Sequence, residues 1–319
     1  MDKSVIYLLL KTARPRQWIK NLSLYAALFF SGFLFVTVDG NNYFYTVTIA
    51  FIIFCFLTSS VYIINDIIDQ KADRNHPFKR KRPIASGELS VPIALFGAII
   101  LLLAVFFLSI WLSLFFKLLI VLYLMLQIAY GLYFKHVPIL DISAIATGFL
   151  IRVYAGAVVV NLHMNVWFLL TVISASLFLA VGKRQSERTL LMGKDDSIIG
   201  NTRKILKRYS QRLLDQFTAM FATATWLTYA LFTFQDQSGG QSASELASVY
   251  TFLPRTLHSQ KLLMLSLPFV IFGVMRYLQL IYESNEGESP ERVLLGDRPL
   301  LTTVFLFTII VFVVMYLLG

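Results

Sequence analysis

Residues 44–74 read FYTVTIAFIIFCFLTSSVYIINDIIDQKADR. A helix needs about 20 mostly apolar residues to cross a bilayer, and the stretch from Phe44 to Ile64 carries no charge. Polar groups then arrive together: Asn65, Asp66, Asp69 and Asp73. At ~100° per residue the three carboxylates fall within a narrow arc of one helical face. Carboxylates so placed repel one another and are costly near a membrane. The ordinary compensation is a divalent cation. Oxygen donors with no cysteine and no paired histidine favour Mg²⁺ over zinc. Asn65, Asp66, Asp69 and Asp73 are therefore the candidate metal ligands, and Asp66, Asp69 and Asp73 the candidate catalytic residues. The competing reading is a solvated helix end balanced by Lys71 and Arg74.

The same pattern of long apolar runs extends over the whole chain. Of its 319 residues 57% are hydrophobic and 14% charged, against ~25% charged in an ordinary soluble domain. Nine segments have spanning length: 18–37, 44–66, 90–113, 115–134, 138–160, 165–182, 212–235, 262–282 and 299–318. Asp39-Gly40-Asn41-Asn42, Pro83, Pro138, Gly239-Gly240, Pro290 and Pro299 punctuate most of them. The expectation is an all-α polytopic membrane protein with nine transmembrane helices. It forms one domain over 1–319, with cytoplasmic loops at about 67–89 and 183–211. The single cysteine, Cys55, lies in an apolar run, which excludes a disulfide framework and a cysteine-based metal site. The cationic residues before the first span read as a segment that stays inside, not as a cleaved signal.

Orientation follows from the basic residues. Of the 28 lysines and arginines, only Lys117, Arg255 and Lys261 fall on one side, and Arg152 and Arg276 lie within spans. All the others fall on the opposite side. That side is the cytoplasm, so the N-terminus and the active site face it and the C-terminus lies outside. The net charge of +10 admits nucleic acid, anionic lipid or an anionic substrate as partner. Its placement in short loops between spans excludes nucleic acid.

The acids are followed directly by bases. Lys71, Arg74, Lys79, Arg80, Lys81 and Arg82 share one loop, more than a positive-inside loop requires. Acids and then bases suit a magnesium diphosphate, with metal on one flank and cations on the other. Arg74, Lys79 and Arg82 are candidate substrate ligands. His76 is a ligand, a base or a hydrogen-bonded loop residue. A second patch, Gly182-Lys183-Arg184-Gln185-Ser186-Glu187-Arg188, follows the sixth span. Lys183, Arg184 and Glu187 are its candidates. Lys20 and Asn21 open the first helix, and Lys135 and Asp141 flank Pro138. Arg152 lies inside a span, where an arginine is a functional hypothesis by default; its alternative is a structural pair.

Asn65-Asp66-x-x-Asp69-x-x-x-Asp73, at the end of the second span, resembles the first aspartate motif of the UbiA superfamily of intramembrane prenyltransferases. Four further stretches narrow the likeness. They are Arg14-Pro15-Arg16-Gln17-Trp18-Ile19-Lys20-Asn21, the extension from Asp73 through His76-Pro77, Lys79 and Arg82-Pro83 to Gly87, the run from Tyr130 through Lys135 to Asp141, and Gly182-Lys183-Arg184-x-x-Glu187. Together they resemble the decaprenyl-phosphate phosphoribosyltransferase branch. The resemblance implies a UbiA-like helical bundle, Mg²⁺, and transfer of phosphoribose from phosphoribosyl pyrophosphate (PRPP) to a polyprenyl phosphate in a bacterial cytoplasmic membrane. Ordinary members carry a second Asp-rich motif after the sixth span. Here Lys183-Arg184 stand in its place, and Asp195-Asp196 come later without the usual spacing. PRPP and a lipid phosphate bring three anionic groups, which call for more cations and fewer carboxylates. The competing function is prenyl transfer from a polyprenyl diphosphate to an aromatic or quinone-precursor acceptor. A transporter is disfavoured, because charge gathers at one face and no paired broken helices are evident.

Overall fold

A computed structural model describes residues 4–38, 41–74, 79–192, 208–235, 261–284, 293 and 296–317. His76, Asp195 and Asp196 lie outside these residues. Among the described residues eight helices are long and apolar enough to cross a membrane: Tyr43–Ile68, Val91–Ser109, Leu114–His136, Leu140–Val159, Val166–Arg188, Gln211–Gln235, Leu262–Glu283 and Arg298–Leu317. They fall where eight of the nine expected segments do, and the protein is a multi-pass membrane protein of the all-α class.

The remaining expected segment, 18–37, takes another form. Pro15–Leu24 winds as a 3₁₀-helix, and Tyr25–Phe29 (α2) follows as a short α-helix. Gly32, at φ 78°, then turns the chain toward a small antiparallel pair, Thr37–Val38 with Asn41–Asn42. With ~2.0 Å rise per 3₁₀ residue and ~1.5 Å per α residue, Pro15–Phe29 is about 28 Å long. That approaches the ~30 Å hydrocarbon core with fewer residues than α winding would need.

The chain divides into two compact units, 1–26 with 35–135 and 151–162, and 27–34 with 136–150 and 163–319. In the first, α3 (Tyr43–Ile68) is the hub, with 61% of its apolar stretch buried. It packs against α1 (Val5–Ala13), the 3₁₀-helix, α6 (Val91–Ser109) and α7 (Leu114–Leu132). Ala94 and Ala98 of α6 are buried beside Ile63 of α3 and Leu8 of α1. Small residues at that spacing let membrane helices approach closely, where packing and not the hydrophobic effect holds them. Only 17% of the apolar stretches of α6 and α7 is buried, as lipid-facing helices require. Helix α1 buries Leu8, Thr12 and Ala13 and exposes the apolar Val5, Ile6, Tyr7 and Leu10.

The polar stretch after α3 is also ordered. Short helices α4 (Gln70–Arg74) and α5 (Pro83–Ser86) are tied together by Gln70 Nε2 donating to Ile84 O at 3.2 Å and Arg74 Nε donating to Ala85 O at 3.2 Å. Helix α8 (Leu140–Val159) gives its first half to the second unit and its second half to the first.

In the second unit α9 (Val166–Met192) lies along α10 (Gln211–Gln235). The helices α11 (Leu267–Gln279) and α12 (Arg298–Phe312) complete it. Phe30 sits in an aromatic cluster there, 5.3 Å from Phe168 and 5.8 Å from Phe232 between ring centroids. Helix α9 runs past residue 182, so Lys183, Arg184 and Glu187 sit on a helix and not in a loop.

Candidate functional site

Asp66 ends the buried face of α3 and Asp73 lies on α4; they are 4% and 2% exposed. Such dry carboxylates need compensation, and arginine supplies it. Arg82 Nη1 donates to Asp66 Oδ1 at 3.0 Å and to Asp73 Oδ2 at 2.5 Å. Arg14 Nη2 donates to Asp66 Oδ1 at 2.5 Å. Lys79 stands 3.8 Å from Asp73. Asp69 behaves differently: its side chain is 37% exposed and pairs with Lys135 at 3.3 Å.

Backbone features place these cations. Arg14 adopts a left-handed conformation, φ 54° and ψ 59°, which ends α1 and turns the chain into Pro15. A non-glycine residue in that region carries strain. Here the turn carries the guanidinium over the Tyr62 ring, 5.0 Å from its centroid, and onto Asp66. Pro83 starts α5 directly after Arg82, matching the preference for proline in a first turn. Asn65 lies one residue before Asp66, and a β-carbon added at Gly131 would meet its Oδ1 at 3.3 Å. A pocket of about 330 Å³ opens here, lined by Lys11, Thr12, Arg14, Asp66, Lys79, Lys81, Arg82 and Pro83.

Asn21 and Arg152 form a separate buried cluster in the same unit. Arg152 Nε donates to Asn21 Oδ1 at 2.9 Å and Nη2 to Tyr123 OH at 2.7 Å. Asn21 Nδ2 reaches Thr58 Oγ1 at 3.3 Å and Cys55 Sγ at 3.4 Å. Trp18 Nε1 donates to Ser59 Oγ at 3.0 Å. A β-carbon on Gly156 would stand 1.8 Å from Leu24 O, so α8 meets the 3₁₀-helix backbone to backbone. Lys20, on the same 3₁₀-helix, is half-buried.

The second unit gathers Asp141, Arg184 and Glu187, which lie far apart along the chain. Arg184 is 2% exposed. Its Nε lies 2.7 Å from Asp141 Oδ2, and its Nη1 donates to Glu187 Oε2 at 2.5 Å. Tyr209 OH donates to Asp141 Oδ1 at 2.5 Å and accepts from Ile139 N–H at 2.5 Å. Ile139 is itself left-handed, φ 71°. Burial first, and then the hydrogen bond to Asp141, push the Tyr209 phenol above its ordinary range. Asp215 Oδ1 accepts from Gln185 at 2.9 Å, Gln211 at 3.0 Å and Tyr282 at 2.9 Å. Lys183 is half-buried beside this network.

Arg14, Tyr209 and Asp215 were not among the candidates read from the sequence. Arg14 had a signal, since it opens one of the quoted stretches. Tyr209 and Asp215 had none.

Residues 24–295 match the UbiA prenyltransferase family. A protein of Mycolicibacterium smegmatis called decaprenyl-phosphate phosphoribosyltransferase is 35% identical over 298 residues, 93% of this chain and 89% of its own. The Corynebacterium glutamicum protein of that name is 34% identical, over 92% and 82%. The fold is similar to that of a UbiA homolog from Archaeoglobus fulgidus bound to GPP and Mg²⁺, with TM-score 0.65, 19% identity, and 97% and 99% of the two chains covered. A structure of that homolog with Cd²⁺ gives TM-score 0.62 at 17% identity, over 97% and 99%.

Proposed function

The chain belongs to the UbiA prenyltransferase family, and we propose that it transfers 5-phosphoribose from PRPP to a polyprenyl phosphate, releasing pyrophosphate. The observation that carries this reading is the excess of cations around two dry carboxylates. The pocket beside Asp66 is lined by five lysines and arginines and by that one acid. Such a pocket suits a donor with more than one anionic group. The relatives named for phosphoribosyl transfer support the same assignment.

Asp66 and Asp73 engage a single guanidinium, so they stand close enough to share one cation. This fits Mg²⁺, which takes one or two protein carboxylates and fills its octahedron with water and substrate phosphates. Among the described residues no group of three or more acids, histidines or cysteines converges, and the fit rests on that pair, with Asn65 and Asp69 assisting. Bound there, Mg²⁺ supplies Lewis-acid neutralisation of the diphosphate.

Lys79 and Arg82 hold the donor diphosphate, with Arg14, Arg74 and Lys135 beside them. The lipid phosphate oxygen attacks the ribose anomeric carbon from the face opposite the diphosphate. The carbon–oxygen bond to pyrophosphate breaks as the new bond forms, inverting the α-donor to a β-product. The attacking phosphate is already largely dianionic near neutral pH, so no side chain need take a proton. Positioning and electrostatics carry the rate. Arg184 pairs with Asp141 and Glu187 and so ties α9 to the start of α8.

The asymmetry of lysine and arginine between the two sides supports a cytoplasmic N-terminus and an external C-terminus, and the bacterial relatives support a bacterial cytoplasmic membrane. The test is transfer of label from radioactive PRPP into the organic phase when polyprenyl phosphate is added to membranes holding the protein. Product formed only from a prenyl diphosphate and an aromatic acid overturns the reading in favour of prenyl transfer.

A further inference from the structure

We infer that α1 is a lipid-contact helix: its outer face, Ile6, Tyr7 and Leu10, seats among the acyl chains of the leaflet on the aspartate side. This is independent of which group the protein transfers. It begins with a helix that is apolar on both sides. At ~100° per residue, Leu8 and Thr12 fall on one side of Val5–Ala13, and Ile6, Leu10 and Tyr7 on the other. The first side is buried, whereas Ile6 is 69% exposed, Tyr7 54% and Leu10 53%. A surface helix in water turns polar residues outward, and one that is apolar all round is covered on every side. Here the protein covers one side only.

The place of the helix decides what covers the other side. Leu8 and Ala13 belong to a core with Ile63 near the end of α3, Ile84 of α5, and Ala94 and Ala98 in the first turns of α6. Leu9 lies on Gly97, where an added β-carbon would stand 2.9 Å from its Cδ2. Around Gly97, α6 exposes Ile93, Phe96 and Ile100. The outer face of α1 therefore continues the lipid-facing surface of α6. At ~1.5 Å per residue α1 is about 14 Å long, under half of the ~30 Å hydrocarbon core. It lies within one leaflet and does not cross. Tyr7 suits that depth, with an apolar ring and a polar tip.

A second copy of the chain is the competing cover. A stable protein interface uses about 20–30 residues a side, and the outer side chains of one nine-residue helix fall far short of that. The contact bears on the site as well. Helix α1 ends at Arg14, which donates to Asp66. Lipid on one side and α3 and α6 on the other thus fix where that turn begins.

The experiment uses the full chain in phosphatidylcholine vesicles. Cys55 is buried, so a thiol-directed fluorophore goes to a new cysteine, placed by Ile6→Cys. Phe96→Cys on α6 is the lipid reference, and Glu88→Cys, at an exposed position before α6, is the water reference. Each is quenched in turn by lipids brominated along their acyl chains and by aqueous iodide. The expected result is bromolipid quenching at Ile6 within about twofold of that at Phe96, with iodide quenching well below that at Glu88. Iodide quenching equal to that at Glu88 puts the face in water and overturns the proposal. Protection from both quenchers, with a bifunctional thiol reagent joining two chains at this position, overturns it in favour of a second copy. If Ile6→Cys does not insert, Leu10→Cys carries the same test on the same face, with the same outcomes.

Discussion

The cluster at the end of α3 and the cluster on α9 are made of the same groups and solve opposite problems. Each sets carboxylates against arginine at a membrane edge. At α3 the acids are dry, and Arg14 and Arg82 remain roughly a quarter to a third exposed beside an open pocket. At α9 the arginine itself is sealed, with Asp141, Glu187 and Tyr209 closed around it. An arginine with one side in water can exchange its protein carboxylate for a ligand's phosphate. A sealed one has already made its choice, and removing it strands two buried anions. Residue type alone does not separate substrate-binding from structural charge; access to water does.

The sharpest way to break this comparison is Arg184→Met. Losing one partner of a buried pair costs about 3–5 kcal/mol, so the variant should fail to accumulate as folded protein, read by thermal midpoint and size-exclusion profile in detergent. A variant with wild-type stability and no transfer activity would make Arg184 a substrate-facing group and erase the distinction. Asp66→Asn probes the other cluster. Its arginines have water nearby, so the thermal midpoint should move little, while transfer falls at least about a hundredfold, or ~2.7 kcal/mol of barrier. Near-normal turnover would remove Asp66 from the chemistry. Tyr209→Phe has the smallest expected effect, about 1–3 kcal/mol of stability, for the hydrogen bonds it strips from Asp141 and the Ile139 amide. It also has a pH signature. The folded-state pKa of Tyr209 is raised, so its contribution is full below the ordinary phenol value near 10 and is lost as pH rises through the folded value. Wild type should therefore lose stability above about pH 10 more steeply than Tyr209→Phe; parallel alkaline profiles would mean that the phenol is not held as drawn.

Hydropathy is a local property, and it located seven of the eight long spans to within four residues at each end; the segment expected at 165–182 runs on to Arg188, because polar residues continue its helix beyond the apolar run. The aspartate stretch was legible for the same reason, since 3.6-residue periodicity puts Asp66, Asp69 and Asp73 on one arc. What was not legible is who answers them. Arg14 and Asp66 are 52 positions apart, and Tyr209 and Asp141 are 68 apart; only tertiary packing joins them. The expected common face also divides, with Asp66 and Asp73 buried and Asp69 turned to Lys135, because the ordered turn through α4 and α5 covers part of the arc. The 3₁₀ winding of Pro15–Leu24 left no mark, since ten residues of mixed polarity do not distinguish a period of 3.0 from one of 3.6.

That winding sets a gauge. In a 3₁₀-helix residues three apart eclipse, so Trp18, Asn21 and Leu24 form a straight file, bonded to Ser59, to Thr58 and Cys55, and pressed on Gly156. Rewinding Pro15–Leu24 as α-helix would shorten it by about 5 Å and swing each member of the file sideways. One inserted residue would advance the file by about 2 Å and turn it by about a third of a revolution. Most surface connections absorb such a change by bulging outward. This segment is gripped at both ends, by the Arg14 bond to Asp66 and by the Leu24 carbonyl at Gly156, and its length therefore admits no tolerance.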